Sequence, residues 1–258
     1  MDLNFQKYQG AGNDFIIIDN RNRHYDHLNV AQLCHPKFGI GADGLMLLQN
    51  LEGYDFEMVY YNSDGNVSTM CGNGGRCIVD FAKGLGLFEA STVFKAIDGR
   101  HDANWTKEIV ELQMQNVQQV SVLANAYELN TGSPHYVAFE ENVSAIDLVP
   151  TARAIRYNDI YKSEGINVNF VEVLGPNSLK VRTYERGVED ETLSCGTGVT
   201  ACAIAYSLLS GLADRAHTIA ISTPGGQLKV KYELHNGQYT QVWLIGPAKM
   251  VFEGHIEI

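Results

Sequence analysis

Stretches rich in β-branched and aromatic residues recur along the chain and predict strands. They cover residues 15–19, 56–61, 167–174, 179–184, 219–221, 227–234 and 240–245. Two further stretches, 76–83 and 200–207, predict helices, which we expect to end at the glycines that follow them, at 84–86 and at 211. The second stretch is almost wholly apolar, so we expect that helix to be buried on most sides. The turn signal Asn236-Gly237 predicts a hairpin, and adjacent strands favour mixed or antiparallel sheets.

The chain contains an internal repeat that is more informative than any single motif. Four short blocks recur in the same order, with offsets of 120, 123, 124 and 127 residues. The first copies begin at Gly12, Tyr61, Cys71 and Asp98, and the second copies begin at Gly132, Tyr184, Cys195 and Gly225. A slowly drifting offset is what duplication followed by small insertions produces. The sequence therefore predicts an α/β (α+β) protein of two pseudo-symmetric domains, residues 1–120 and 121–246, each a mixed or antiparallel sheet wrapped around a central helix.

Composition narrows the class of protein. The chain has 258 residues, is 45% hydrophobic and carries a formal net charge of −11, which suits a globular core and argues against nucleic-acid or anionic-membrane partners. The start of the chain does not resemble a signal peptide, and no run of about eighteen apolar residues predicts a membrane span. Five cysteines without C-x-x-C spacing argue against a disulfide framework or a zinc site. We therefore expect a cytoplasmic protein without a metal.

In both copies of the third block a cysteine precedes a predicted helix, in Cys71-Gly72-Asn73-Gly74 and in Cys195-Gly196-Thr197-Gly198. Glycine lets the backbone and a ligand approach each other closely. The first turn of a helix has N–H groups without intrahelical acceptors and a positive dipole end, which stabilise a thiolate and bind carboxylates. Each block thus combines a candidate base with an anchor for a substrate carboxylate.

Two matched cysteines indicate acid–base chemistry at one carbon atom. One thiolate would remove a proton from one face of the carbon while the other thiol donates a proton to the opposite face, which inverts the configuration. Both groups then need a pKa near neutrality, and carboxylates, at about 4, lie too low. A single cysteine at a glycine-rich turn is more often structural, and the matched context of Cys71 and Cys195 reverses that preference. Cys34, Cys77 and Cys202 lack this context and are predicted to be small core residues.

One motif points to a different chemistry and is rejected. Residues 39–44, GIGADG, fit the G-x-G-x-x-G fingerprint of dinucleotide-binding proteins. That fingerprint lies between a strand and a helix, whereas residues 45–48, LMLL, predict a strand directly after it. We therefore expect no nicotinamide or flavin, and paired cysteines make pyridoxal phosphate unnecessary.

Four segments resemble the signatures of the diaminopimelate epimerase family: residues 10–15 (GAGNDF), 70–77 (MCGNGGRC), 185–187 (ERG) and 191–198 (ETLSCGTG). The motifs stand in the expected order across nearly the whole chain. The resemblance implies interconversion of LL- and meso-2,6-diaminopimelate, in lysine and peptidoglycan precursor biosynthesis, without metal or pyridoxal phosphate. It also implies the two-domain fold described above, often as a homodimer, with residues 247–258 returning to the first domain.

The resemblance also implies roles for individual residues. Cys71 and Cys195 form the acid–base pair, and His135 and Glu185 lie beside the thiols and help to move their protons. The remaining roles concern the substrate: Asn13, Asn62 and Asn167 bind its polar ends, Gly72, Asn73, Gly196 and Thr197 hold the reacting carboxylate, and Arg186 recognises the distal carboxylate.

The chain departs from the family pattern at the rim of the expected site. Ser133 stands where many relatives have Asn, and Gly44 replaces a Gln found in some members. The segment from Arg186 to Cys195 is one residue longer than in the shortest versions. These differences affect substrate contacts more than the proton transfers.

Three alternatives stay open at the level of sequence. Proline racemase-like and phenazine-biosynthesis-like proteins share the duplicated architecture, and the former also use paired cysteines, but GAGNDF and ERG favour the epimerase. A non-catalytic binding protein would not require two matched thiols. A thiol-disulfide oxidoreductase would have C-x-x-C spacing, which this chain lacks.

Overall fold

The computed structural model describes residues 2–25, 27–68 and 70–257. The helices are α1 (Val30–Cys34), α2 (Gly72–Gly84), α3 (Leu148–Arg156) and α4 (Gly196–Leu209), and a short 3-10 helix covers Val143–Ala145. The strands are β1 (Asp2–Gly10), β2 (Asn13–Asp19), β3 (Gly44–Gln49), β4 (Phe56–Asn62), β5 (Ser91–Ala96), β6 (Gly99–Thr106), β7 (Ile109–Gln113), β8 (Ser121–Val122), β9 (Tyr127–Asn130), β10 (Pro134–Phe139), β11 (Asn167–Gly175), β12 (Ser178–Glu185), β13 (Asp190–Thr192), β14 (Ala216–Thr223), β15 (Gly226–His235), β16 (Gln238–Pro247) and β17 (Lys249–Glu257).

The chain divides into two compact units. Unit 1 consists of residues 1–112 together with 246–258, and unit 2 consists of residues 113–245. The predicted limits of the duplicated halves, 1–120 and 121–246, stay predictions, because a division by compactness does not locate the point of a duplication.

Unit 1 is a mixed sheet around helix α2. Its strands pair in the order β17, β1, β2, β3, β4, β5, β6, β7. The β2–β3 and β4–β5 pairs are parallel and the others are antiparallel. Each parallel pair needs a crossover: the first crossover contains α1 and the second contains α2. Helix α2 packs against β1, β2, β3, β6 and β17.

Unit 2 repeats this arrangement around helix α4. Its strands pair in the order β8, β9, β10, β11, β12, β14, β15, β16, and β13 adds to β12. The β10–β11 and β12–β14 pairs are parallel and the others are antiparallel. The crossovers contain α3 and α4, and α4 packs against β9, β10, β11, β12, β14 and β15.

The two units therefore share one strand order and one sequence of parallel and antiparallel pairs. Even a turn is repeated: Gly99 opens β6 with φ 133° and Gly226 opens β15 with φ 138°, values that favour glycine. These two glycines belong to the fourth block of the sequence repeat. The predicted fold class, two duplicated α/β halves with a central helix in each, is confirmed.

The local predictions hold where the apolar pattern is strong. Residues 199–207 of α4 are all buried, as the apolar composition predicts. Both central helices begin one turn earlier than the apolar stretches alone indicate, at Gly72 and Gly196. The Asn236-Gly237 turn joins β15 to β16 with positive φ at both residues, and residues 45–48 form a strand. The dinucleotide fingerprint therefore lacks its helix.

Candidate functional site

Each of the two matched cysteines is the N-cap residue of a central helix. Cys71 precedes α2 with φ −101° and ψ 125°, and Cys195 precedes α4 with φ −114° and ψ 114°. The first helical hydrogen bonds run to their carbonyl oxygens, from Gly75 N at 2.7 Å and from Val199 N at 2.9 Å. Each sulfur is therefore attached at the positive end of a helix dipole, where a thiolate is stabilised.

The other three cysteines belong to the core. Cys77 and Cys202 are fully buried, and Cys34 is 2% exposed. Burial raises the pKa of Cys34 to about 11, and it raises the pKa of the Cys77 and Cys202 thiols further. These side chains stay protonated and pack as small apolar groups, which agrees with the sequence-based prediction.

In unit 1 the surroundings of Cys71 are polar. Its sulfur lies 3.5 Å from Oδ1 of Asn13, whose amide nitrogen donates to Asp43. The backbone N–H of Asp43 donates to the carboxylate of Asp14, at 2.9 Å, and Lys7 forms an ion pair with Asp14 at 2.7 Å. A chain of polar contacts thus connects the candidate base to the buried ammonium group of Lys7.

A fully buried arginine stabilises the start of α2. Arg76 has 0% exposed surface. Its guanidinium donates to the carbonyl oxygen of Gly72 at 3.2 Å, to Oδ1 of Asn73 at 2.9 Å, and to the carbonyl oxygen of Pro247 at 3.5 Å. Burial lowers its pKa, although the nearby thiols of Cys77 and Cys71 oppose that effect. The positive charge therefore lies in the first turns of the helix that Cys71 begins.

Gly44 has a steric explanation that the sequence does not show. A Cβ atom at this position would lie 2.5 Å from the ring of Tyr60 and 2.6 Å from the carbonyl oxygen of Tyr61. Gly44 pairs with Phe15 on one side and with Asn62 on the other, at the edge of the sheet where β2 and β3 begin and β4 ends. In this chain the Tyr60 ring therefore occupies the space that a side chain at position 44 would enter.

In unit 2 the sulfur of Cys195 belongs to a chain of hydrogen bonds. It lies 3.4 Å from Oγ1 of Thr197, which lies 2.9 Å from Nε2 of His135. Cys195 is 7% exposed and His135 is fully buried. Burial and the positive charge of Arg186 lower the pKa of His135 from 6.5 to about 3, so its ring is neutral at neutral pH. The structure thus places a neutral imidazole one hydroxyl group away from the candidate base.

Asn167 and Arg186, two candidate residues of unit 2, hydrogen-bond to each other and to Ser133. Nδ2 of Asn167 donates to Oγ of Ser133 at 2.9 Å and to the carbonyl oxygen of Pro134 at 3.1 Å, while its Oδ1 accepts from Arg186 N at 2.9 Å. The guanidinium of Arg186 contacts Ser133 Oγ at 3.5 Å and the carbonyl oxygen of Glu164 at 2.9 Å. Ser133 therefore joins the two residues in the position where many relatives have Asn.

Two candidate residues, Glu185 and Asn62, make local hydrogen bonds within their own units. The carboxylate of Glu185 accepts a short hydrogen bond from the hydroxyl group of Thr192. Asn62 is exposed at the end of β4, where its carbonyl oxygen accepts from Gly65 N at 2.9 Å. The structure places both near the ends of strands, and their roles toward a substrate stay predictions.

Three buried polar residues beside the candidate site were not predicted from the sequence. Asn169 and Thr183 hydrogen-bond to each other next to His135, and Arg76 lies in the first turns of α2. Asn169 and Arg76 are fully buried, and Thr183 is 3% exposed. A signal existed for Asn169, because a polar residue inside a continuous buried strand needs a hydrogen-bonding reason. No comparable signal existed for Arg76, since arginine is rarely buried to this extent.

Among residues 2–25, 27–68 and 70–257, no group of three or more His, Cys, Asp or Glu side chains is arranged to hold a metal ion. Within the same part of the chain, no helix combines the length and apolar character of a membrane span.

Solved structures with the same fold define the class. A phenazine biosynthesis protein of the PhzF family from Bacillus anthracis matches with a TM-score of 0.78 and 14% identity, over 100% of both chains. A hydroxyproline epimerase from Agrobacterium vitis matches with a TM-score of 0.69 and 12% identity, over 99% of this chain and 92% of the other. At such identities the likeness establishes the fold alone: the chain has the duplicated fold of these proteins.

Sequence comparison identifies the family within that class. The sequence profile described as diaminopimelate epimerase matches residues 5–120 and 127–251. A curated diaminopimelate epimerase from Flavobacterium psychrophilum is 51% identical over 97% of this chain and 99% of its own length. Another from Chlorobaculum tepidum is 39% identical over 96% and 99% of the two chains. The chain belongs to the diaminopimelate epimerase family.

Proposed function

We propose that this member of the family interconverts LL- and meso-2,6-diaminopimelate by a two-base mechanism, with Cys71 and Cys195 as the bases and without a cofactor. The observation that carries the proposal is that the two cysteines occupy the same position, the N-cap of the central helix, in two units that share one order of parallel and antiparallel strand pairs. The family match over nearly the whole chain supports the choice of substrate.

The proposed reaction is a proton exchange at the α-carbon. The thiolate of one cysteine takes the α-proton, and the thiol of the other donates a proton to the opposite face, so that the second cysteine ends as the thiolate. Negative charge develops on the α-carboxylate during this step. The helix starts at Gly72-Asn73 and Gly196-Thr197 support binding of that carboxylate, because backbone N–H groups and the helix dipole favour an anion there.

The remaining candidate residues would bind the substrate or assist the proton transfers. His135 and Glu185 would assist proton transfer at the sulfurs, and the hydrogen-bonded chain from His135 to Cys195 supports this for His135. Arg186 would bind the distal carboxylate, since a guanidinium matches a carboxylate in charge and geometry. Asn13, Asn62 and Asn167 would bind the polar ends of the substrate, and the contact of Asn13 with the Cys71 sulfur supports its place in the site.

We also propose that the enzyme is a cytoplasmic homodimer in lysine and peptidoglycan precursor biosynthesis. In unit 1, strand β17 exposes large apolar side chains, including Met250 at 41%, Val251 at 55% and Phe252 at 45%. Adjacent exposed apolar residues are typical of association surfaces. Sedimentation equilibrium tests this proposal, and a monomer at micromolar concentrations would contradict it.

The test of the reaction is hydrogen exchange with substrate controls. In D2O, purified protein treated with a chelator should introduce deuterium at the α-carbon of LL-diaminopimelate and produce the meso isomer. Proline and lysine serve as controls: exchange into proline would instead favour the proline racemase-like alternative. Binding of diaminopimelate without exchange would indicate a binding protein.

Cysteine variants test the residues. Cys71→Ala and Cys195→Ala should each lower the epimerisation rate by about 10²–10⁴-fold or more, the contribution of a positioned acid or base. Cys202→Ala, a core cysteine in the helix that Cys195 begins, is the matched control and should keep its rate when folded. Near-normal inversion in either of the first two variants would show that the two-base assignment is wrong.

A further inference from the structure

The side chain of His135 is surrounded by a buried hydrogen-bonding network within unit 2. His135 and Asn169 have 0% exposed surface, and Thr183 has 3%. These residues lie on the adjacent strands β10, β11 and β12, and the network continues through Thr197 to Cys195. Because buried polar atoms must be paired, the geometry fixes which atom donates in each bond.

The amide group of Asn169 has one allowed orientation. One amide atom lies 2.9 Å from the carbonyl oxygen of Tyr136, which only accepts hydrogen bonds. That atom must therefore be Nδ2, and Oδ1 faces the hydroxyl group of Thr183 at 3.0 Å. A flipped amide would place two acceptor oxygens against each other. All three contacts of the amide are satisfied in the observed orientation.

The orientation of this amide determines the tautomer of His135. Nδ2 of Asn169 lies 3.2 Å from Nδ1 of His135 and has a second hydrogen to donate. Nδ1 is therefore the acceptor, and a neutral imidazole that accepts at Nδ1 carries its proton on Nε2. The ring is neutral because burial and the charge of Arg186 lower its pKa to about 3. Nε2–H then donates to Oγ1 of Thr197 at 2.9 Å.

The hydroxyl group of Thr197 is left with one hydrogen to donate. Its oxygen accepts from His135, and the sulfur of Cys195 lies 3.4 Å away. With the opposite tautomer, Nε2 would accept the hydroxyl hydrogen, and the sulfur would lose that donor. The direction of the whole chain thus depends on the amide of Asn169.

We infer that Asn169 is a positioning residue: it holds His135 in the Nε2–H tautomer and thereby directs the hydroxyl hydrogen of Thr197 to the sulfur of Cys195. This inference deepens the proposed function, on which it rests for the role of Cys195 as a base. A hydrogen bond to the sulfur stabilises the thiolate, which is the form that removes a proton.

Gly198 is explained by the same network. A Cβ atom at this position would lie 2.6 Å from Oδ1 of Asn169. Gly198, the last residue of the block that begins at Cys195, therefore leaves room for the Asn169 amide that fixes the tautomer of His135. Its φ lies outside the left-handed region, so space rather than backbone strain accounts for the glycine here.

The first experiment observes the tautomer directly. In ¹⁵N-labelled wild-type protein at neutral pH, NMR of the His135 ring should show a proton on Nε2 and an unprotonated Nδ1. Asn169→Leu removes the donor that faces Nδ1, so the tautomer with its proton on Nδ1 should become populated. A wild-type ring protonated on Nδ1, or on both nitrogens, would overturn the inference without any variant.

The second experiment measures the thiolate of Cys195. The rate of its alkylation by iodoacetamide is followed against pH by peptide mass spectrometry, with Cys71 as the reference in the same molecule. Thr197→Val should move the pH midpoint of Cys195 alkylation upward and slow the reaction at neutral pH by about 10- to 100-fold, the worth of one hydrogen bond to a charged group. Asn169→Leu should change both quantities in the same direction.

Two variants separate this role from a general structural one. Thr197→Ser keeps the hydroxyl group and should restore the wild-type midpoint. Thr200→Val removes a hydroxyl group from the same helix, where it donates to the Gly196 carbonyl oxygen at 2.9 Å, and should leave the midpoint unchanged. Equal effects of Thr197→Val and Thr200→Val, or no effect of Asn169→Leu in the folded protein, would overturn the inference.

The outcomes remain distinguishable from those of the proposed function. Alkylation and NMR need no turnover, so they test the network even in a protein that does not epimerise diaminopimelate. If wild-type protein is active but the His135 tautomer is the opposite one, the proposed function stands and the inference fails. If the tautomer is as inferred but no exchange occurs, the inference stands as a statement about the thiol and the proposed function fails.

Discussion

Acid should weaken unit 2 through His135. The pKa of this residue is about 3 in the folded protein and 6.5 in the unfolded chain, because burial and the charge of Arg186 oppose the imidazolium. Below pH 6.5 the unfolded chain therefore binds a proton that the folded protein does not. The stability that the folded protein gains from keeping His135 neutral is complete above pH 6.5, and it is lost progressively as the pH falls towards 3.

The size of this effect follows from linkage. One proton bound only by the unfolded state lowers the free energy of unfolding by about 1.4 kcal/mol for each pH unit. Over the interval from pH 6.5 to about 3 the sum is roughly 5 kcal/mol. Between pH 6 and pH 4.5, where most proteins are still folded enough to measure, we expect about 2 kcal/mol.

The assay uses a tryptophan that belongs to unit 2. Trp105 lies in unit 1 and Trp243 in unit 2, so Trp243 fluorescence in a Trp105→Phe background reports unfolding of unit 2. Urea unfolding is measured from pH 7 to pH 4.5, with and without His135→Gln. Other titrating groups contribute equally to both proteins and cancel in the difference. Parallel pH dependences would refute the reasoning, since His135 would then accept a proton in the folded protein.

Three further substitutions, one of them a control, test packing and hydrogen bonding in unit 1 by urea unfolding. Gly44→Ala should lower the free energy of unfolding by about 1–3 kcal/mol, because its Cβ would lie 2.5 Å from the Tyr60 ring. Gly84→Ala is the control: its Cβ would have no atom from outside its own helix backbone within 4 Å, so it should be neutral or stabilise by up to about 1 kcal/mol. Equal effects of the two substitutions would contradict the steric explanation of Gly44. Arg76→Met should lower the free energy of unfolding by roughly 2–4 kcal/mol, because it removes the donors to the carbonyl oxygen of Gly72 and to Oδ1 of Asn73. A neutral or stabilising Arg76→Met would show instead that the unfavourable burial of the guanidinium dominates.

The repeat made the fold predictable from sequence. Because the blocks that begin at Cys71 and Cys195 keep their order and spacing, they predict two equivalent helix starts, and the structure has them at Gly72 and Gly196. Strands such as β11 and β15 carry enough β-branched and aromatic residues to be recognised locally. Local composition and a long-range repeat therefore agree, which is why the architecture followed from the sequence.

The polar interior was not predictable in the same way. Asn169 acts through residues 34 positions earlier and 14 positions later in the chain, His135 and Thr183, and no local pattern connects them. Arg76 appeared in the sequence only as part of a motif, and one of the backbone oxygens that its buried guanidinium contacts, that of Pro247, lies 171 residues away in the chain. Gly44 was noted only as a departure from relatives, because its explanation requires the position of the Tyr60 ring.

The pairing of the first strand with the last has a consequence for synthesis. Asp2 pairs with Glu257, so the sheet of unit 1 needs strands from either side of unit 2 in the sequence, whereas unit 2 is contiguous from residue 113 to 245. During translation most of unit 1 is therefore made before unit 2, but its sheet can be completed only after residues 249–257 have been synthesised. We expect a released chain truncated near residue 245 to resist protease within residues 113–245 while residues 1–112 are still digested.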